Sequence, residues 1–366
     1  MTAIGMGPLC TQTLGDYGAN VIKIESASGD VFRHAAPTQT PAMGAPFLQF
    51  NRNKRSLVLD LKADDDLQAL LDLAKEADVL VFNVRPQSMR KLGLSHEVLA
   101  ALNPRLIYCG VYGFSEAGTY AGEPAYDDII QSIGGLASLQ GRDGAPSFVT
   151  SIIADKIAGL TATHAILAAL YERSMSGLGQ AVEVPMFETL VAFNMLEHMG
   201  EATFAKPQPQ MGYARAVSPN RRPFRTQDGY IALMPYTTQQ WQRFFELVGK
   251  PEVMQDERFI EPASRAKHVD ALYTMLAEFV IDKTTDEWLT VLKQADIPSG
   301  RVNSLNDLLD NEHLASIDFF ERFEDPALGT VVLPKSPVSL SRTPTKVRRL
   351  APQLGQHSDD IKQNGW

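Results

Sequence analysis

The sequence predicts an α/β fold, with a mostly parallel sheet and helices on both faces. Three observations predict it. Over residues 1–110, short apolar runs alternate with stretches of helical period, the pattern of βαβ units. The length of 366 residues suggests two domains, at about 100–200 residues each. A composition of 44% hydrophobic and 21% charged residues is that of a globular protein with ample chain to bury a core.

The elements follow in order. Val21-Ile22-Lys23-Ile24 and Ser56-Leu57-Val58-Leu59-Asp60 read as strands. Residues 66–77 place Leu67, Leu70, Leu71 and Ala74 at helical spacing. Val79-Leu80-Val81-Phe82 is a strand, followed by a helical stretch through Leu92 and the strand Leu106-Ile107-Tyr108-Cys109. Residues 155–173 read as a long buried helix, 180–185 as a strand and 186–199 as a helix. Four prolines and several arginines mark 206–225 as a linker or ordered loop. A second unit follows, with a turn and strand at 228–233 and helices at 239–248, 270–281 and 285–295. Short apolar runs among the prolines of 326–345 suggest strands or an extended return segment.

Lys and Arg number 34 and Asp and Glu 43, a formal net charge of −9, which disfavours a nucleic-acid binder. Cys10 and Cys109 provide no disulfide framework and no metal cluster, and fit a reducing compartment. No signal peptide is visible. The apolar segment 157–171, at about 15 residues, falls short of the roughly 20 that a membrane span needs. A soluble cytoplasmic protein is expected.

Each motif has a bland reading beside a functional one. Gly5-Met6-Gly7-Pro8-Leu9-Cys10 half-matches a dinucleotide fingerprint, with Glu25 at the right distance for its acid. It lacks the preceding strand and the third glycine, so a tight turn opening a helix is favoured. Met1 opens almost directly on this turn: either the sheet starts differently or the chain begins late. Arg52, Lys54 and Arg55, and then Arg85, Arg90 and Lys91, fall near strand ends. They are surface charge or a phosphate-binding edge. Asp155 is a helix N-cap or a carboxylate nucleophile at a helix N-terminus. Tyr126-Asp127-Asp128 is a helix start or a second acid site. His164 is expected in the core, and the other histidines show no metal spacing.

Together these segments resemble the class III CoA-transferase family, which contains formyl-CoA transferase and the carnitine and bile-acid CoA-transferases. The markers are Gly7-Pro8-Leu9-Cys10-Thr11-Gln12, Gly18-Ala19-Asn20-Val21-Ile22-Lys23-Ile24-Glu25 and Gly29-Asp30. Asn51-Arg52-Asn53-Lys54-Arg55-Ser56, Leu59-Asp60-Leu61-Lys62, Ala77-Asp78-Val79-Leu80, Asn83, Arg85-Pro86 and Leu92-Gly93-Leu94 continue the pattern. Asn103-Pro104-Arg105-Leu106-Ile107-Tyr108, Tyr126-Asp127, Asp155, Gly177-Leu178-Gly179-Gln180 and Leu354-Gly355-Gln356-His357-Ser358-Asp359 complete it. Each is weak alone; their order spans nearly the whole chain.

The resemblance implies a large Rossmann-like open-sheet domain built from both chain ends, 1–205 and 310–366. It implies a smaller inserted α+β domain at 226–305, linkers at 206–225 and 306–330, and an interlocked homodimer. It implies an acyl-CoA:carboxylate CoA-transferase with Asp155 as catalytic nucleophile, acting through an aspartyl anhydride and an aspartyl-CoA thioester. The substrates would be an acyl-CoA and a small carboxylic acid, with no metal, no tightly bound cofactor and no nucleic-acid or membrane partner. Asn53, Lys54, Asn83, Val84, Ser88, Lys91 and Leu92 match positions that contact coenzyme A. Gly5, Met6, Tyr126 and Asp127 match positions lining the active site. Lys91 stands where many members have Arg, keeping charge and losing bidentate phosphate binding. Formyl-CoA transferase has Gln and Ala at the positions of Gly5 and Met6, so its substrate pair is disfavoured here. Its Gly-rich lid region is occupied by 212–225, where Arg215, Arg221, Arg222 and Arg225 either bind a carboxylate or are surface charge. Members usually carry a strand before the Gly-Pro turn, which implies a chain short at its N-terminus.

Two alternatives compete. An α-methylacyl-CoA racemase shares the fold, but uses a His near the position of Ala125, and Glu123-Pro124-Ala125-Tyr126-Asp127 has none. The other is a CoA-binding protein of low activity.

Overall fold

Parallel strand pairs organise the first unit, Met1–Asn194 together with Asp318–Trp366. The computed structural model describes residues 1–141 and 144–366. β1, Val21–Glu25, runs parallel to β2, Lys54–Val58, with Ile24 opposite Leu57. β3, Val79–Phe82, β4, Ile107–Tyr112, and β5, Ala181–Pro185, form a second parallel set in that order. The helix Asp64–Glu76 joins β2 to β3, and Pro86–Lys91 and His96–Leu102 join β3 to β4. This is the expected βαβ alternation.

β2 begins two residues earlier than the apolar run indicates. The reason is Lys54, whose ammonium is buried on Pro8 O, Phe50 O and Asn51 Oδ1 at 2.8–2.9 Å, so a charged residue opens a core strand. Residues 1–3 lie against β3. The Met1 amine donates to Val81 O at 2.9 Å, and the Asn83 amide holds both backbone groups of Ala3. From β1, Lys23 Nζ donates to Thr2 O at 2.7 Å. A cavity of about 670 Å³ beside them is lined by Met1, Val21, Ile22, Val79 and Val81 among others.

Charged side chains are buried in pairs here: Lys23 with Asp30, Arg33 with Glu25, and Arg52 with Asp16, at 2.7–2.8 Å. Pairing and hydrogen bonding offset the cost of burying these charges, whereas Lys54 is held by neutral oxygens alone. Glu25 also accepts from Ser56 Oγ and Asp30 N, so the acid of the half-matched dinucleotide fingerprint is fully engaged within the fold.

The helix Ile153–Ser176 runs 24 residues, longer than expected at both ends, and is apolar and long enough to cross a membrane by length and composition. Its small residues Ala154, Ala158 and Ala162 recur every fourth position and are buried with Met6, Cys10 and Val111 in the core of this unit. A Cβ on Gly159 would lie 2.5 Å from Met6 O, so glycine permits the close approach of the helix Met6–Asp16. The buried stripe is narrow. His164, expected in the core, is exposed on the opposite side with Leu160, Leu167 and Tyr171.

The second unit, Met195–Ile317, holds an antiparallel sheet of β6, Phe224–Arg225, β7, Tyr230–Leu233, and β8, Ser299–Arg301. The helices Thr238–Leu247, Val269–Val280 and Thr285–Gln294 pack around Phe224, Ile231, Phe244, Tyr273 and Trp288. Capping boxes Thr237/Gln240 and Thr284/Glu287 start two of them. Residues 206–225, read above as a linker, contain the short helix Ala214–Val217 and β6.

After Ile317 the chain returns to the first unit. Residues 306–330, also read as a linker, hold the helix Glu312–Ser316 and β9, Phe320–Asp325, which pairs antiparallel with β10, Gly329–Pro334. The last segment runs beside β2: Asn53 N donates to Arg349 O, and His357 N to Ser56 O, both at 3.0 Å.

Candidate active site around Asp155

Asp155 lies in the first turn of the helix Ile153–Ser176, where the helix dipole favours negative charge. It is not the N-cap; that position is Ile152. Its carboxylate reaches the N-terminus of a second helix, Met6–Asp16, where the backbone N–H of Met6 favours its charged form. Gly5 makes room: a Cβ there would lie 3.0 Å from an Asp155 carboxylate oxygen and 2.8 Å from Ile152 Cδ1. Gly5 and Met6 therefore line the same corner as Asp155.

The approach to Gly5 is fixed by the loop after β1. Asp30 Oδ1 accepts Ile4 N at 3.0 Å while Asp30 Oδ2 takes the Lys23 ammonium. Ile4 sits at φ +67°, a conformation that costs a β-branched residue roughly 1–3 kcal/mol. The strain stands immediately before the residues that meet the carboxylate.

Asp127 opens the helix Asp127–Ile133, with Tyr126 before it at 69% exposure. Its Oδ1 accepts the N–H of Asp155 at 3.0 Å, satisfying a donor at the start of the long helix. Burial, and after it the charge of Asp127, push the Asp155 carboxyl up to about 7, against the opposing hydrogen bond from Met6. An aspartate is normally ionised at neutral pH without assistance; this one is poised near neutrality.

The residues matched to coenzyme A contacts divide into two groups. Val84, Ser88 and Lys91 are exposed and Leu92 is half-buried, following the C-terminal end of β3 on and around the helix Pro86–Lys91. That is where open α/β sheets receive ligands. Arg85 is exposed beside them. Asn53 and Lys54 are buried and engaged. Asn53 donates to Asp16 Oδ1 and Lys346 O and accepts from Arg348 N, and Lys54 spends its donors on the three oxygens named above. Asn83 is half-buried and holds Ala3. Arg52, from the basic cluster, is committed to Asp16 and Pro334 O. In the second unit, Arg215 donates to the Tyr273 hydroxyl, whereas Arg221, Arg222 and Arg225 are exposed.

Sequence reasoning missed Gln131. It is buried, and its amide bonds Asp127, Ser151 and Val149. The available signal was its position four residues after Asp127, which places both on one helix face.

Comparison with known proteins identifies the family. The family model for CoA-transferase family III matches residues 1–358. An acyl-CoA transferase of Fusarium pseudograminearum is 31% identical over 369 residues, covering 97% of this chain and 80% of that protein. The (R)-2-hydroxy-4-methylpentanoate CoA-transferase of Clostridioides difficile is 30% identical over 364 residues, covering 97% and 90%. The crystal structure of a CAIB/BAIF family protein from Brucella suis superposes with a TM-score of 0.83 at 29% identity, covering 100% of this chain and 97% of that one. The chain belongs to CoA-transferase family III and is a class III CoA-transferase.

Proposed function

We propose that the chain transfers coenzyme A from an acyl-CoA to a small carboxylic acid, with Asp155 as the covalent nucleophile. The observation that carries this reading is the buried Asp155 carboxylate at the meeting of two helix N-termini, against Gly5 at the start of the helix Met6–Asp16. The ionised carboxylate attacks the thioester carbonyl; the C–S bond breaks, coenzyme A leaves as thiolate, and an acyl-aspartyl anhydride remains. The thiolate attacks the aspartyl carbonyl, the donor carboxylate departs, and an aspartyl-CoA thioester forms. The acceptor carboxylate then attacks that thioester, regenerating an anhydride and the thiolate. Thiolate attack on the acceptor acyl carbon yields the new acyl-CoA and free Asp155. Protons balance without an added acid, and covalent catalysis divides one difficult exchange into smaller steps. Backbone N–H groups at Gly5 and Met6 suit the oxyanions formed on the way.

Coenzyme A is taken to lie along Val84, Ser88, Lys91 and Leu92, since these are the matched positions with accessible side chains. Asn53 and Lys54 instead brace the helix Met6–Asp16 from within, through Asp16 and Pro8 O, and Asn83 holds Ala3. A dicarboxylate acceptor with succinyl-CoA as donor is the first pair to assay. We take the chain to be a cytoplasmic homodimer of interlocked chains. Support comes from free, buried Cys10 and Cys109 and from the exposed apolar side chains Ile129, Ile133, Leu160, Leu167 and Phe193. The racemase reading gains nothing: Ala125, where a histidine base would stand, is packed against the core.

The test is a panel of carboxylic acids against succinyl-CoA and acetyl-CoA, run with the native chain and with Asp155→Ala. New acyl-CoA formed by the native chain and lost in the variant supports the reading. Full transfer by Asp155→Ala refutes the nucleophile, and α-proton exchange with solvent without transfer favours the racemase.

A further inference from the structure

Gln131 is fully buried, yet the chemistry above assigns it nothing. Its Nε2 donates to Asp127 Oδ2 at 2.6 Å and to Ser151 O at 3.3 Å, and its Oε1 accepts from Val149 N at 2.9 Å. The other oxygen of Asp127 accepts the N–H of Asp155. One amide thus joins the carboxylate beside Asp155 to the segment that leads into the helix bearing Asp155. Few side chains could do this. The task needs a donor at one end and an acceptor at the other, on a stem long enough to reach from the second turn of the helix Asp127–Ile133. A carboxylate of the same shape would face Asp127 without a donor, and methionine would leave Val149 N and Asp127 Oδ2 without the partner Gln131 gives them.

We propose that Gln131 is a positioning residue for Asp155. It clamps Asp127 and residues 149–151 so that the Asp155 carboxylate is held at the N-terminus of the helix Met6–Asp16. The proposal rests on Asp155 being the nucleophile. It assigns Gln131 no contact with substrate, so its effect belongs in turnover rather than in coenzyme A binding.

The experiment compares the native chain with Gln131→Met, Gln131→Glu and the double variant Asp127→Asn/Gln131→Glu, each checked for folding by circular dichroism. In the double variant the amide at 127 donates to the carboxylate at 131, which restores the 127–131 hydrogen bond with reversed polarity but leaves Ser151 O without the donor it has in the native chain. A misplaced reacting group costs about a hundredfold, so Gln131→Met and Gln131→Glu should lose about that in kcat with KM for acyl-CoA nearly unchanged, and the double variant should regain about tenfold. The thioester adduct at Asp155 is trapped in parallel. A folded Gln131→Met with native kcat, or a double variant no better than Gln131→Glu, overturns the clamp while leaving Asp155 as nucleophile. A native chain that turns over without any adduct at Asp155 overturns the nucleophile, and the clamp with it.

Discussion

The backbone N–H of Asp155 donates to Asp127 Oδ1 at 3.0 Å, so two carboxylates share one buried corner through a single peptide group. The same contact that fixes the start of the long helix also sets a negative charge beside the nucleophile. Asp127 thus holds the helix through its hydrogen bond and, after burial, adds to the raising of the Asp155 carboxyl through its charge, and both effects are open to measurement.

The rate should depend on Asp155 ionisation. With the carboxyl raised to about 7, kcat/KM falls as pH drops from 8 to 6. Asp127→Asn removes the charge and keeps an acceptor for the Asp155 N–H, while its NH2 now faces the Gln131 NH2, so kcat should fall and the acidic limb should move to lower pH. A limb that stays in place would show that burial alone sets it.

Stability carries the opposite sign. A carboxyl raised in the folded state keeps its proton longer than in the unfolded chain, so stability declines as pH rises from the ordinary aspartate range to about 7. Asp155→Asn removes that loss. Thermal unfolding should show the variant more stable than the native chain by about 2–4 kcal/mol at pH 8 and little changed at pH 4. Equal effects at both values would exclude the linkage.

Gly159→Ala is the packing test. The added Cβ would lie 2.5 Å from Met6 O, a backbone atom that cannot swing aside. We expect a loss of about 1–3 kcal/mol from overpacking, and a fall in kcat because Met6 N–H is displaced from Asp155. Unfolding in urea and steady-state kinetics read the two effects separately.

Lys54 and Lys91 should behave as opposites. Lys54→Met leaves Pro8 O, Phe50 O and Asn51 Oδ1 without their buried donor. It should cost about 1–3 kcal/mol of stability per the unsatisfied-group penalty, with KM for acyl-CoA unchanged in the folded protein. Lys91→Ala should leave the melting temperature alone and raise that KM, while Lys91→Arg lowers it by adding a bidentate fork.

The parallel framework was legible because β1, β3 and β4 are plain apolar runs separated by helical period. What hid was polar chemistry in the interior. Lys54, Asn53 and Arg52 look like a surface cluster in the sequence, because nothing local announces that backbone carbonyls and Asp16 will meet them. His164 misled in the reverse direction: it stands in an apolar run, yet the helix buries only its small-residue stripe. Asp155 reads as a plausible cap, whereas its tie to Met6 depends on Gly5 and Gly159, which act by what they lack. Gln131 offered only its spacing from Asp127 as a signal, because its other two partners are backbone groups 18 and 20 residues away.

The most direct measurement is mass spectrometry of the chain incubated with succinyl-CoA and quenched with hydroxylamine. A hydroxamate is expected on Asp155, formed only when acyl-CoA is present and absent from Asp155→Ala. Turnover with Asp155 unmodified, or a modification on another side chain, would contradict it.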